Sequence, residues 1–178
     1  MLDFSSLSRL NKQLENLNSV VEKSLSLITH EFERNHIEVV KELNHNIPQV
    51  KIDKNKIEQV LLNLMINSAH AMSDGGTVKL KTYVWKLTDH FGELPRLNRH
   101  RFRPGETVVV LDVEDEGCGI PEDKMDKIFD PFFTTKRNEG GVGLGLSVSH
   151  NIMDIHGGDI LMENKKEGGA KATLVFKV

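Results

Sequence analysis

The chain has 178 residues, 38% of them hydrophobic, enough for one sizeable core without a second domain. A formal charge of −3 argues against a dedicated nucleic-acid binder, and the single cysteine, Cys118, rules out an intrachain disulfide. No apolar run approaches the roughly 20 residues of a membrane span, and the start lacks a signal peptide's apolar segment, so the expectation is a cytoplasmic domain whose parent can carry sensor or membrane segments upstream.

Leu7, Leu10, Leu14, Leu17 and Val21 recur at three-four spacing and predict a helical seam at the start. Residues 19–34 predict a second helix, with Val21, Leu25, Ile28 and Phe32 on one face, Val20 and Leu27 alongside, and Ser19 as its cap. Residues 36–43 and 49–52 read as strands around an Asn-Ile-Pro turn. The strongest helical pattern covers 53–72: Ile57, Val60, Leu61, Leu64 and Ala71 form a core stripe, Asp53 can cap it, and Asp74-Gly75-Gly76 ends it. Its other side carries Asn63, Asn67 and His70 at i, i+4 and i+7, two neutral amides and an imidazole where a solvated face more often carries Glu and Lys. Taken alone, these asparagines suit a surface as well as a site.

Residues 77–85 and 107–113 read as long strands joined by a loop with Arg96, Arg99, His100, Arg101 and Arg103, a pattern that predicts a solvated hairpin tip. Asp115 then ends an apolar run, and Gly117 and Gly119 turn the chain sharply, with Cys118 as a small residue between them. A carboxylate there can accept from the exocyclic amine of adenine. Gly141, Gly143 and Gly145 open an apolar-periodic segment (Leu146, Val148, Ile152, Ile155), which puts bare backbone amides at a helix N-terminus, where phosphates bind. These glycines come too late in the chain for a Rossmann triplet, and no P-loop G-K-[ST] ending occurs. Beside a triphosphate, an asparagine oxygen can ligate Mg²⁺ without adding repulsion, and Mg²⁺ takes few protein ligands. The helix at 147–156 is followed by Gly157-Gly158 as a C-cap and by a hairpin of strands 159–163 and 170–178.

Over residues 18–178 the ordered motifs closely resemble the catalytic and ATP-binding domain of sensor histidine kinases, in the GHKL superfamily shared with gyrase-type and MutL-type ATPases. The asparagine box is L-L-N-L-M-I-N-S-A-H-A-M (61–72), followed by D-E-G-C-G, the phenylalanine box F-D-P-F-F, the second glycine box G-V-G-L-G-L, and E-G-G-A-K-A-T. The resemblance implies a two-layer α/β sandwich of the Bergerat type, with a mixed, mostly antiparallel sheet and helices on one face. It implies that Asn67 ligates Mg²⁺, that Asn63 and His70 approach the phosphates of ATP, and that Asp115 reads adenine. Gly117, Gly119, Gly141, Gly143 and Gly145 would shape the pocket, with Ile120, Phe133, Val142, Leu144, Leu146 and Thr173 also contacting nucleotide. Phe129, Phe132 and Phe133 would anchor a lid over 134–141, from which Lys136 reaches a phosphate. The family pattern expects an aromatic residue where Ala172 stands and a Leu-Pro finish where Lys177-Val178 stand.

Histidine kinases phosphorylate a histidine on a preceding helical hairpin. His30, in T-H-E-F-E-R, lacks the usual proline and the room for a second hairpin helix, so it reads as an ordinary helix residue. Residues 1–17 would be the tail of that hairpin and 18–178 the ATP domain. The implied partners are the hairpin of the same or a sister subunit, a response regulator and a second copy in a homodimer, with no nucleic acid. The other classes weighed are a GHKL hydrolase and a nucleotide-sensing module. Superfamily hydrolases place a Glu base one turn before the Mg²⁺ asparagine, where this chain has Asn63, and Glu58 lies off that face.

Overall fold

The computed structural model describes residues 10–88, 97–133 and 143–178. A five-stranded sheet runs in the order β2-β4-β5-β7-β6, from β2 (Ile37–Leu43), β4 (Gly76–Lys86), β5 (Thr107–Glu114), β6 (Asp159–Asn164) and β7 (Ala170–Lys177). Only β2 and β4 pair in parallel, and the remaining pairs are antiparallel. Three helices, α1 (Leu17–Arg34), α2 (Lys54–Ala71) and α3 (Gly145–His156), pack in succession, α1 on α2 and α2 on α3, over one face. This is the mixed two-layer α/β fold expected. None of the described helices is long and apolar enough to cross a membrane.

The core follows from strand alternation meeting helical stripes. From β5, Val109, Leu111 and Val113 join the buried faces of α1 (Leu17, Val21, Ile28, Phe32) and α2 (Ile57, Val60, Leu61, Leu64) in one cluster. Asp53 caps α2, its Oδ1 accepting from the backbone N–H groups of Asn55 and Lys56 at 3.1 and 3.3 Å. Glu58, buried on α2, ion-pairs with Lys23 of α1 at 2.7 Å.

Three expectations need correction. The predicted leading helix is interrupted, because Gln13–Glu15 is a strand, β1, antiparallel to β3 (Val50–Ile52), with Leu14 65% exposed; Leu7 lies outside the described residues. Asn16, not Ser19, caps α1 by accepting from the Asn18 N–H at 2.9 Å, so the helix starts at Leu17, and Leu27 is exposed. The described part of the loop after β4 is a solvated tip only in part: Arg99, His100 and Arg103 are exposed, but its apolar residues are not. Leu87, Leu97 and Phe102 are buried with Val108, Val110 and Val175 on the far face of the sheet. Arg101 ties it down, donating to Asp154 Oδ1 at 2.6 Å and to the Gly158 carbonyl at 2.9 Å, and Asp154 holds the guanidinium pKa above its ordinary value. Arg96 lies outside the described residues.

Candidate nucleotide site

α2 runs past the end of β5, and the helix start of α3 comes up beside it. Between them lies a cavity of about 460 Å³, within the usual range for a small-molecule site. One wall is α2, through Asn63, Asn67, Ser68, His70 and Ala71; the floor is Val113, Asp115, Met162, Ala170 and Ala172. The glycine turn supplies Cys118, Gly119 and Ile120, the start of α3 supplies 143–146, and Lys124, Ile128 and Phe133 close the near side.

Asp115 is the buried acceptor of the floor, at 7% exposure. Its Oδ1 receives the N–H groups of Gly117 (2.9 Å) and Ala170 (3.1 Å), and its Oδ2 receives the Ser68 hydroxyl (3.1 Å). A carboxylate has about four acceptor positions, so these three bonds fix its orientation and leave acceptor capacity for a ligand. The turn after it is held by contact distances: a Cβ on Gly117 would stand 2.6 Å from the Ala71 Cβ. Asn164 clamps the other end, its amide accepting from the Ile120 N–H at 2.8 Å and donating to the Ile120 carbonyl at 2.7 Å.

At the opposite end, Asn63 donates to the Ser149 hydroxyl at 3.0 Å and its amide lies against Gly145, where a Cβ would displace it. Leu144 occupies the cap position of α3 and offers no side-chain acceptor, so among the described residues no side chain caps the first turn, whose N–H groups suit an anion. Gly143 sits at φ 72° against the backbone of Phe132 and Phe133, and Phe132 itself adopts φ 65°, costly for a bulky residue, while 62% exposed. Asn67 and His70 are exposed on the α2 wall. Among the described residues the Asn67 amide has no hydrogen-bond partner.

The structure thus gathers Asn63, Asn67, His70, Asp115, Gly119, Ile120, Phe133, Gly143, Leu144, Gly145 and Leu146 around one space, with Gly117 behind the turn. It does not bring Thr173 there. That residue points to the far face of the sheet, where its hydroxyl donates to Asp112 at 2.7 Å, and its neighbour Ala172 lines the cavity instead. Lys136, Gly141, Val142 and the lid segment 134–141 lie outside the described residues. Ser68, Lys124, Met162 and Asn164 were missed. Ser68 was findable, lying one residue beyond Asn67 within the asparagine box; the others are brought in by strand pairing and by the turn that follows Pro121.

A family model described as "Histidine kinase-, DNA gyrase B-, and HSP90-like ATPase" matches residues 52–178. The chain belongs to this family. Over its full length it is 32% identical to the signal transduction histidine-protein kinase AtoS of Escherichia coli K12, and over 148 residues, 82% of the chain, it is 35% identical to the sensory histidine kinase/phosphatase NtrB of Salmonella typhimurium. The matches span 26% and 38% of those proteins, so the chain corresponds to about a quarter to two-fifths of such relatives. Among solved structures, the catalytic domain of the histidine kinase ThkA superposes with a TM-score of 0.74 at 28% identity, covering 94% of this chain and 95% of that one. ShkA, solved with AMPPNP, shares the fold at 20% identity and a TM-score of 0.74, with 96% of this chain and 32% of that one covered. For this ATPase-family domain, the cavity between α2, the glycine turn and α3 is the candidate nucleotide site.

Proposed function

We propose that this chain is the ATP-binding catalytic domain of a two-component sensor histidine kinase, passing the γ-phosphoryl group of ATP to a histidine on a helical hairpin outside this chain. The observation that carries the reading is the chemistry of the α2 wall. It presents amides and an imidazole to the cavity, Asn63 gives one amide N–H to Ser149, and the carboxylate on the preceding turn, Glu58, faces Lys23 instead. An amide cannot take a proton from water at neutral pH, so the wall is suited to hold a triphosphate and poorly suited to hydrolyse it.

In this reading Asp115 accepts from the adenine amine, the apolar floor covers the ring, and the open first turn of α3 receives phosphate oxygens. Asn67 would hold Mg²⁺: its amide is exposed and unpartnered, no cluster of three or more His, Cys, Asp or Glu that could hold a metal occurs among the described residues, and Mg²⁺ binds through few protein ligands plus phosphates. When bound, the ion neutralises charge on the transferring phosphoryl group. His70 and Asn63 orient the phosphates, and Lys136, which lies outside the described residues, is expected to reach them. Residues 1–17 would be the tail of the hairpin, with β1 among them pairing with β3 of the domain. A response regulator is the onward acceptor, as expected from the neighbour ThkA, solved in complex with the response regulator TrrA, and a homodimeric parent protein belongs to the same proposal.

Transfer of radiolabelled γ-phosphate tests the reading. Expected are no acid-labile label on this chain alone, label on a separately supplied hairpin, and loss of that label with Asn67→Ala. Rapid phosphate release to water, abolished by the same substitution, would favour a hydrolase. Tight Mg-ATP binding with neither reaction would favour a sensing module.

A further inference from the structure

At the end of the domain away from the glycine turns, three pieces of chain meet on two side chains. His156, in the last turn of α3, places Nδ1 2.6 Å from the Ile152 carbonyl and Nε2 3.0 Å from the backbone nitrogen of Asp53. A carbonyl can only accept and a backbone N–H can only donate, so both contacts are satisfied by one species, the neutral ring with its proton on Nδ1. A second proton would oppose two N–H groups. Asp53 in turn caps α2 through Oδ1, while its Oδ2 accepts from the Asn11 N–H at 3.1 Å. Lys12 donates to the Ile155 carbonyl beside His156 at 2.6 Å, and the next residues pair as β1 with β3.

We infer that His156 is a positioning residue which joins the Asp53 backbone at the head of α2 to the tail of α3, and so holds in place the Asp53 and Ile155 acceptors that clasp the leading segment, residues 11–15, and that protonating its imidazole opens the clasp. Both helices also wall the nucleotide cavity, so the segment entering the domain is fastened to the elements that carry the site. The charged groups facing the ring are Lys12 from the leading segment, which disfavours its protonation, and Asp53 from the head of α2, which favours it; α3 contributes the Ile152 carbonyl. Burial is the largest influence and moves the imidazole below its ordinary range. The sign follows: the clasp is complete above the free imidazole value of about 6.5 and weakens as pH falls toward the lowered folded value. Any consequence for phosphoryl transfer, through freer placement of the hairpin, rests on the proposed function. The clasp itself does not.

The test is residue-resolved amide exchange of 11–15, expressed as protection over intrinsic rates, at about pH 7.5 and about pH 5, above the ordinary Asp range of about 3.9. In the whole chain protection should fall by up to about thirtyfold at the lower pH, the limit for a free imidazole of about 6.5. In His156→Gln, whose amide oxygen can accept from the Asp53 N–H without titrating, protection should stay within about twofold across the same interval. Unchanged protection in the unaltered chain, or an equal fall in the Gln variant, would overturn the inference. Ring nitrogen shifts of His156 give a reading without any variant: a proton on Nε2 near pH 7.5 would overturn it as well. Failure of the chain to bind nucleotide would defeat the proposed function while leaving these measurements intact.

Discussion

On the helix side of the sheet, Val109, Leu111 and Val113 of β5 meet regular stripes from α1, α2 and α3; on the far side, Val108 and Val110 meet a loop anchored by Leu87, Leu97 and Phe102. Both covers exclude water from the same strand. They differ in what they leave behind. Helices standing on a twisted sheet diverge toward its edge, and glycines at 117, 143 and 145, where a side chain would collide with a neighbouring element, keep the chain segments close while the gap stays open as the cavity. The described part of the loop lies on its face through those three side chains. Its polar groups are spent on attachment: Arg101 on Asp154, and the Asn98 N–H on Asp159 at 2.8 Å. The helical cover holds the site, whereas the loop cover is a seal.

Removing the seal should therefore cost stability and spare binding. Phe102→Ala empties a fully buried aromatic position and should destabilise the domain by about 3 kcal/mol, the low end for such truncations because a loop can partly collapse. Denaturant unfolding measures it, with Mg-ATP affinity of the folded variant expected within about twofold of the unaltered chain. A large loss of affinity would mean the two faces are coupled. Asp115→Asn inverts the pattern. One acceptor of the floor becomes a donor, which should weaken ATP binding by about 1–3 kcal/mol with a smaller effect on unfolding. In a calorimetric titration, affinity within about twofold of the original would remove Asp115 from nucleotide contact.

The smallest expected effect concerns Asp112, buried on the far face against Thr173. Burial raises its carboxyl pKa above the ordinary value, outweighing the Thr173 hydrogen bond and the field of Lys171. A raised folded value contributes stability below the unfolded pKa that is lost as pH rises through the folded one. At neutral pH the charge is thus a burden. Asp112→Asn keeps an acceptor for the Thr173 hydroxyl and should stabilise the domain at pH 7 by under about 1 kcal/mol, the gain shrinking on acidification. A less stable variant at neutral pH would show that the carboxylate contacts with Thr173 and Lys171 dominate.

Much of this was readable along the chain. α2, its Asp53 cap, its amide-bearing wall and the Asp115 turn were legible because each depends on residues within a turn or two of one another, as does the Gly157 cap of α3, at φ 72°. What misled was pattern without context. The three-four spacing of Leu10, Leu14 and Leu17 is helical in form, yet Gln13–Glu15 found a partner strand some forty residues later, and pairing outweighed a short seam that two turns of helix could not hold. The basic loop read as solvated because charge dominates its composition, although two apolar anchors, Leu97 and Phe102, decide where it lies.

Residue type and local spacing were sufficient to place α2, α3 and the main strands and to set the chemistry of the α2 wall, since period and capping act over a few residues, whereas the sandwich fold was implied by the resemblance of the ordered motifs. The side of the sheet a residue faces is another matter. Thr173 and Ala172 are adjacent in sequence, and only the pairing of β7 with β5 and β6 sends Ala172 into the cavity and Thr173 to Asp112. The meeting of Asn11, Asp53 and His156 was likewise decided by tertiary structure, because the contact between Asp53 and His156 joins residues 103 positions apart and has no local signature that a sequence period could carry.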